Sequence, residues 1–130
     1  MNYIFTTVYP GSKRYFKEFI ESVNSQTSKD FKLFIILNGT KLSKTYMNLI
    51  KTKFLIFEIN ETWQKARLEG LNFLLKKKAK LVIFADSDDI LDKFRVEYIL
   101  KKIKGNDFIV NNLFLFGKNI NKKQVWLKIK

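Results

Sequence analysis

The chain has no cysteine and no histidine. Without cysteine there is no disulfide framework and no thiolate metal site. Without histidine, Ser-His-Asp triads, imidazole general bases and His-ligated zinc are excluded. Any metal must therefore be held by oxygen ligands, which favours Mg2+ or Mn2+. Arginine is also scarce: only Arg14, Arg67 and Arg95 are present, so lysine supplies nearly all of the positive charge. No apolar run approaches the ~20 residues that a membrane helix needs. The N-terminus shows no basic segment leading into an apolar one, so no signal peptide is read and a cytoplasmic location is expected.

What is present is charge of one sign, with a formal net charge of +13. Such a balance points to an anionic partner: nucleic acid, a membrane surface or a phosphorylated substrate. Specific nucleic-acid interfaces usually recruit arginine for bidentate contacts, so the lysine bias argues against that partner. The same bias fits a chain encoded by an AT-rich genome. Peripheral association with an anionic membrane face, at the inner side, stays open. The hydrophobic content of 46%, with 15% aromatic residues, is enough for a real core in one domain over residues 1–130.

Strand and helix patterns alternate along the chain. Apolar β-rich runs over 3–8, 31–37, 54–57 and 81–85 read as strands. Helical spacing over 13–24 places Phe16, Phe19, Ile20 and Val23 on one face, with Ser12 as N-cap. A weaker helix is expected over 43–51 and a long one over 62–78, with Ala66, Leu71, Leu74 and Leu75 inward. After the fourth strand, a helix is expected over 93–104. A fifth strand is expected over 107–111, with 113–116 extending it or pairing with it. Near-continuous apolar strands separated by helices predict an α/β three-layer sandwich with a mostly parallel sheet covered on both faces. The tail carries one apolar cluster, Val125-Trp126-Leu127, with no evident partner. That leaves homo-oligomerisation open.

The run Leu81-Val82-Ile83-Phe84-Ala85-Asp86-Ser87-Asp88-Asp89 concentrates the most chemistry. A short apolar strand stops at three carboxylates within four positions. Carboxylates so close repel one another unless a hard divalent cation sits among them. In open α/β sheets, ligands bind outside the carboxyl ends of strands. One reading is thus a metal held at a strand end, facing a phosphorylated ligand. The other is an acidic surface turn that caps the next helix through Asp89 or Asp92.

Several further pieces stand in a familiar order: Tyr9 after the first strand, then Ser22-Val23-Asn24-Ser25-Gln26-Thr27, a second strand running into Asn38-Gly39-Thr40, Asn60, Ala66-Arg67-Leu68-Glu69-Gly70, and Asp86-Ser87-Asp88-Asp89. Together they resemble the nucleotide-binding half of family-2 glycosyltransferases with the GT-A, Rossmann-like fold. The resemblance covers Met1 to about Asn112. It implies a nucleotide-diphosphate sugar donor, a saccharide or other hydroxyl acceptor, and a divalent cation bridging the diphosphate. It also implies an inverting transfer in polysaccharide or cell-surface glycan synthesis. By this resemblance Asp88 is the metal ligand, with Asp86 and Asp89 near the metal, the ribose or the donor sugar. Thr7 and Tyr9 line the base and ribose pocket, and Arg67 contacts the phosphates or the base.

Two departures follow. Where the family usually has an Asp that accepts a bond from the uracil ring, this chain has Asn38, and Thr62 stands where the family often has Gly. The Asn38 amide can still bond a base through its oxygen or its NH2, so Asn38 is expected among the nucleotide-binding residues, with a non-uridine base or a base held differently. Family members run roughly twice this length, and their later half supplies the acceptor site and the carboxylate base. Beyond Asp92 only Glu97 and Asp107 remain as acidic residues. The general base is thus expected outside this chain, and the chain is expected to be truncated at its C-terminus. Two other readings are weighed: a metal-dependent nucleotidyltransferase-like α/β enzyme, and a basic module without catalysis.

Overall fold

The structure is a computed structural model that describes residues 1–110 and the strands Leu113–Leu115 and Gln124–Leu127. The chain forms two compact units, Met1–Glu97 and Tyr98–Lys130.

In the first unit, strands β1 (Asn2–Val8), β2 (Lys32–Asn38), β3 (Phe54–Ile59) and β4 (Leu81–Phe84) form one sheet in the order β3-β2-β1-β4. All three pairings are parallel. The connections carry α1 (Phe16–Asn24), α2 (Lys44–Asn48) and α3 (Trp63–Lys76). The two central strands are apolar almost throughout because both of their faces are covered. On one face Tyr3, Phe5, Phe34 and Ile36 pack with Ala66 and Leu74 of α3. The alternate residues Ile4, Val8, Leu33, Ile35 and Leu37 are as deeply buried, as is the apolar stripe of α1 (Phe16, Phe19, Ile20 and Val23). This is the expected α/β sandwich with a parallel sheet.

Gly70 explains how closely α3 approaches the sheet. A Cβ at this position would overlap the Phe5 ring and the end of the Ile36 side chain. At the end of β2, Gly39 takes a positive φ of 68°, which a residue with a Cβ adopts only with strain.

Several boundaries differ from expectation. Residues Lys13–Tyr15 form a 3-10 turn, and α1 starts only at Phe16. Ser12 does not cap this helix through its side chain, because its hydroxyl is engaged with Tyr9 and Ser87. Leu75 points to solvent, 73% exposed, while Leu74 is buried. Thr62 caps α3, its Oγ1 accepting from the Lys65 N–H at 3.4 Å.

The second unit contains most of α4 (Arg95–Lys102), shorter at both ends than expected. No strand forms over residues 107–110, where Phe108 and Val110 are exposed; Asn111 lies outside the described residues. Strand β5 (Leu113–Leu115) instead pairs antiparallel with β6 (Gln124–Leu127), which contains the apolar cluster of the tail. Phe116, the expected end of that strand, lies outside the described residues. Among the described residues no helix is long and apolar enough to cross a membrane.

Candidate functional site

The site is built where the parallel strands end. After β1, the chain turns through Tyr9-Pro10-Gly11-Ser12, closed by the Ser12 N–H donating to the Tyr9 carbonyl at 3.0 Å. After β4, residues 86–89 form a second tight turn, in which the Asp89 N–H donates to the Asp86 carbonyl at 3.0 Å. Ser87 joins the two turns. Its buried hydroxyl donates to the Thr7 carbonyl at 2.8 Å and lies 2.7 Å from the Ser12 hydroxyl, which accepts from the Tyr9 N–H at 3.1 Å. With Ser87 turned inward, its neighbours Asp86, Asp88 and Asp89 are exposed.

A second set of bonds holds the segment after the carboxylates. The Ser22 hydroxyl accepts from the Leu91 N–H at 3.1 Å. The fully buried Gln26 donates from Nε2 to the Asp92 carbonyl at 2.8 Å and accepts at Oε1 from the Val96 N–H at 3.0 Å. The Thr27 N–H donates to the Lys93 carbonyl at 2.9 Å. The Ser-Val-Asn-Ser-Gln-Thr run thus anchors the loop that follows the acidic turn. Within that loop Asp92, not Asp89, plays the local capping part, accepting from the Phe94 N–H at 2.8 Å.

A cleft of about 510 Å3 opens here, lined by Thr7, Tyr9, Trp63, Arg67, Asp86, Ser87 and Asp88. Five of these seven residues were named from sequence: Thr7, Tyr9, Arg67, Asp86 and Asp88. Arg67 Nη2 donates to Asp86 Oδ1 at 3.3 Å, and its guanidinium lies 5.8 Å from the Trp63 ring centre and 5.9 Å from that of Phe84. This ion pair is exposed and contributes little to stability, so a ligand can exchange it cheaply.

The electrostatics follow the crowding of carboxylates. Although the Asp89 residue is open to solvent, its carboxyl is partly desolvated by neighbouring atoms; this, and then the charges of Asp86 and Asp88, push it above its usual range, while Arg95 works in the other direction. Burial lowers the Arg95 guanidinium, opposed by Asp89 and Asp86. That guanidinium donates to the Phe84 carbonyl at 3.1 Å, and its Nε has no partner among the described residues. The Tyr9 hydroxyl is raised by burial first and then by Asp88 and Asp86.

Among the described residues no three acidic side chains converge into a preformed metal cage. The donor set still fits Mg2+ or Mn2+, which take one or two carboxylates and complete their shell with phosphate and water. Asp86 and Asp88 both line the cleft, whereas Asp89 sits at the turn's end beside Arg95.

Asn38 does not line the cleft. Its Nδ2 donates to the Glu61 carbonyl and its Oδ1 accepts from the Glu61 N–H, both at 2.9 Å. Trp63 and Ser87 are the residues sequence reasoning missed. A slightly larger concavity, about 540 Å3, lies at the opposite ends of the strands. It is lined by Lys29, Lys32, Lys51 and Lys53 with Asp30 as its one carboxylate, so it is not a cation site.

The structure of TarS from S. aureus superposes with a TM-score of 0.59 at 23% identity, covering 80% of this chain and 19% of TarS. The 1–349 portion of TarS in complex with UDP gives the same TM-score and identity, with 32% of that chain covered. The same portion in complex with UDP-GlcNAc matches at 24% identity, again with TM-score 0.59, over 80% of this chain and 31% of that one. This chain thus spans between about a fifth and a third of the solved relatives it matches, and the likeness establishes a shared fold. Comparison with curated proteins finds no match. The model of the family described as glycosyl transferase family 2 matches residues 3–130. With that match running over almost its whole length, the chain belongs to glycosyl transferase family 2.

Proposed function

We propose that this chain binds a nucleotide-diphosphate sugar and forms the donor half of an inverting glycosyltransferase. The sugar passes to a hydroxyl of a saccharide or other acceptor, in polysaccharide or cell-surface glycan synthesis on the cytoplasmic side. One observation carries the reading: Thr7, Tyr9, Arg67, Asp86 and Asp88, from three separate elements, line one cleft at the carboxyl ends of parallel strands. The complexes of the TarS portion with UDP and UDP-GlcNAc support the ligand class.

In this reading Thr7 and Tyr9 lie along the nucleoside. Arg67 leaves Asp86 for the diphosphate, a stronger acceptor that a planar guanidinium can grip with two bonds. Asp86 and Asp88 would hold the Mg2+ or Mn2+, with Asp89 alongside. The cation supplies positive charge against the diphosphate as it leaves. No other carboxylate among the described residues lines the cleft. These residues therefore bind and orient the donor, while deprotonation of the acceptor falls to groups outside them.

The test is calorimetric titration with UDP in MnCl2 and again in EDTA. Binding is expected only with the cation, because a diphosphate and three carboxylates otherwise repel. Asp88→Ala should abolish it with the thermal melt unchanged. Equal affinity in EDTA would overturn the reading.

A further inference from the structure

The first unit carries its charge unevenly. Residues 1–97 hold 17 Lys and Arg against 11 Asp and Glu. Because the four strands are parallel, they all begin at one end of the sheet, and α3, which runs back from β3 to β4, finishes at that same end. Lys29 precedes β2 and Lys32 opens it; Lys51 and Lys53 lead into β3. Lys80 directly precedes β4, its N–H donating to the Met1 carbonyl at 2.9 Å. Lys76 closes α3, and Lys77 and Lys78 follow it. Against these eight lysines stands Asp30, which accepts from Asn2 Nδ2. Glu21, in the last turn of α1, is matched by Lys17 at 4.0 Å. Elsewhere in the unit nine cations meet ten carboxylates, so its whole positive excess lies where the strands begin. Among the described residues none of the eight lysines pairs with a carboxylate.

Uncompensated charge of one sign over one face attracts an anionic surface. Two features say which kind. All eight cations are lysines, compact point charges that any phosphate satisfies, whereas base edges recruit the arginine fork. The exposed large apolar side chains at this end are aliphatic: Leu75, in the last turn of α3, is 73% exposed, and Met1 is exposed beside it in kind. No exposed aromatic ring of this unit stands there to stack a base. Lysines for headgroups beside a protruding leucine make an interfacial pattern.

We propose that the end of the sheet where the strands begin docks on an anionic phospholipid surface, with its lysines among the headgroups and Leu75 in the interface. The concavity of about 540 Å3 lined by Lys29, Lys32, Lys51 and Lys53 lies on this face and is open to a phosphate headgroup. Strands β1 and β2 are seven residues long, so the cleft with Asp86 and Asp88 opens about 20 Å away from the lipid, toward water. The proposal holds whatever that cleft binds.

The experiment is flotation of the 130-residue chain with phosphatidylglycerol–phosphatidylcholine vesicles, and with phosphatidylcholine vesicles alone, at about 0.15 M salt. Binding is expected only to the first and should be lost at about 1 M salt. A lysine near such a surface contributes a factor of about five, so replacing Lys32, Lys53 and Lys80 together by Gln should weaken binding by about tenfold or more. Replacing Lys13, Lys41 and Lys44 by Gln removes the same charge beyond the other ends of the strands and should cost less than about threefold. Leu75→Ala should cost about threefold or more. Equal binding to phosphatidylcholine alone, or equal loss in the two triple variants, would overturn the proposal. So would unchanged binding in Leu75→Ala, which would remove the contact that distinguishes lipid from other polyanions. Tighter binding to a mixed-sequence DNA duplex than to the anionic vesicles at the same salt would reassign the face to nucleic acid. The substituted side chains are exposed or half-buried, and thermal melts check that each variant folds. Should the triple variant melt early, the two vesicle types and Leu75→Ala still decide.

Discussion

Replacing Gln26 by leucine should be among the most damaging single changes outside the cleft. Its side chain is 1% exposed and holds three main-chain groups: it donates to the carbonyls of Ser22 and Asp92 and accepts from the N–H of Val96. Leucine fills similar space but makes none of these bonds. Val96 is fully buried, so its N–H would lose its partner away from water, at a cost of about 1–3 kcal/mol. The Asp92 carbonyl lies nearer the surface and can recruit water, so it adds about 1 kcal/mol. A total of about 2–4 kcal/mol is a large part of the ~5–15 kcal/mol that holds a typical domain. At about 4 °C per kcal/mol for a domain of this size, the melting temperature should fall by about 8–16 °C. Nucleotide affinity should fall too, although Gln26 does not line the cleft, because the anchored segment directly follows the acidic turn. The loss should be partial, since Ser22 and Thr27 keep their own bonds to that segment. Urea and thermal denaturation, paired with nucleotide titration, read both effects. A melting temperature within 2 °C of wild type, on the ~4 °C per kcal/mol scale, would refute the claim that the buried bonds of Gln26 stabilise the fold by this amount.

Three other outcomes are expected. Asp89→Asn should stabilise the cation-free protein at neutral pH. The folded carboxyl titrates above the unfolded value of 3.8, so its ionisation penalty is fully present above the folded pKa and vanishes below the unfolded one. The advantage of the variant should therefore shrink as the pH of EDTA-treated melts is lowered toward that value, and an advantage independent of pH would contradict the assignment. Gly70→Ala should destabilise by about 1–2 kcal/mol in urea despite the better helix propensity of alanine, because the added methyl meets the buried Phe5 ring and Ile36. Asn38→Asp should cost about 1 kcal/mol, by setting a carboxylate against the Glu61 carbonyl, and should bring no preference for UDP in competition titrations.

The strands were legible because their residues are apolar over whole runs, a pattern that a parallel sheet covered on both faces requires. The placement of the carboxylate turn and Tyr9 was legible for a related reason: polar residues directly after such runs fall at strand ends, where the cleft opens. Side-chain competition hid the rest. Ser12 has the chemistry of an N-cap, but Ser87, distant in sequence, comes within 2.7 Å of its hydroxyl. Asn38 has the chemistry of a base reader, yet the Glu61 main chain engages both ends of its amide. Trp63 continues the stripe of Ala66, Gly70 and Leu74 along α3 and so reads as core; at the helix start it lines the cleft instead. Residues 107–110 have apolar strand-like composition but no ladder, and composition alone does not supply a partner strand.

The most direct test of the account is where a nucleotide lands on the chain. In a 15N-labelled sample titrated with UDP in the presence of Mg2+, the account predicts amide shifts at Thr7, Tyr9, Arg67, Ser87 and Asp88 and at the Trp63 indole. It predicts that these shifts disappear when EDTA is added. Shifts gathered instead at Lys29, Lys32, Lys51 and Lys53, or shifts indifferent to Mg2+, would contradict it.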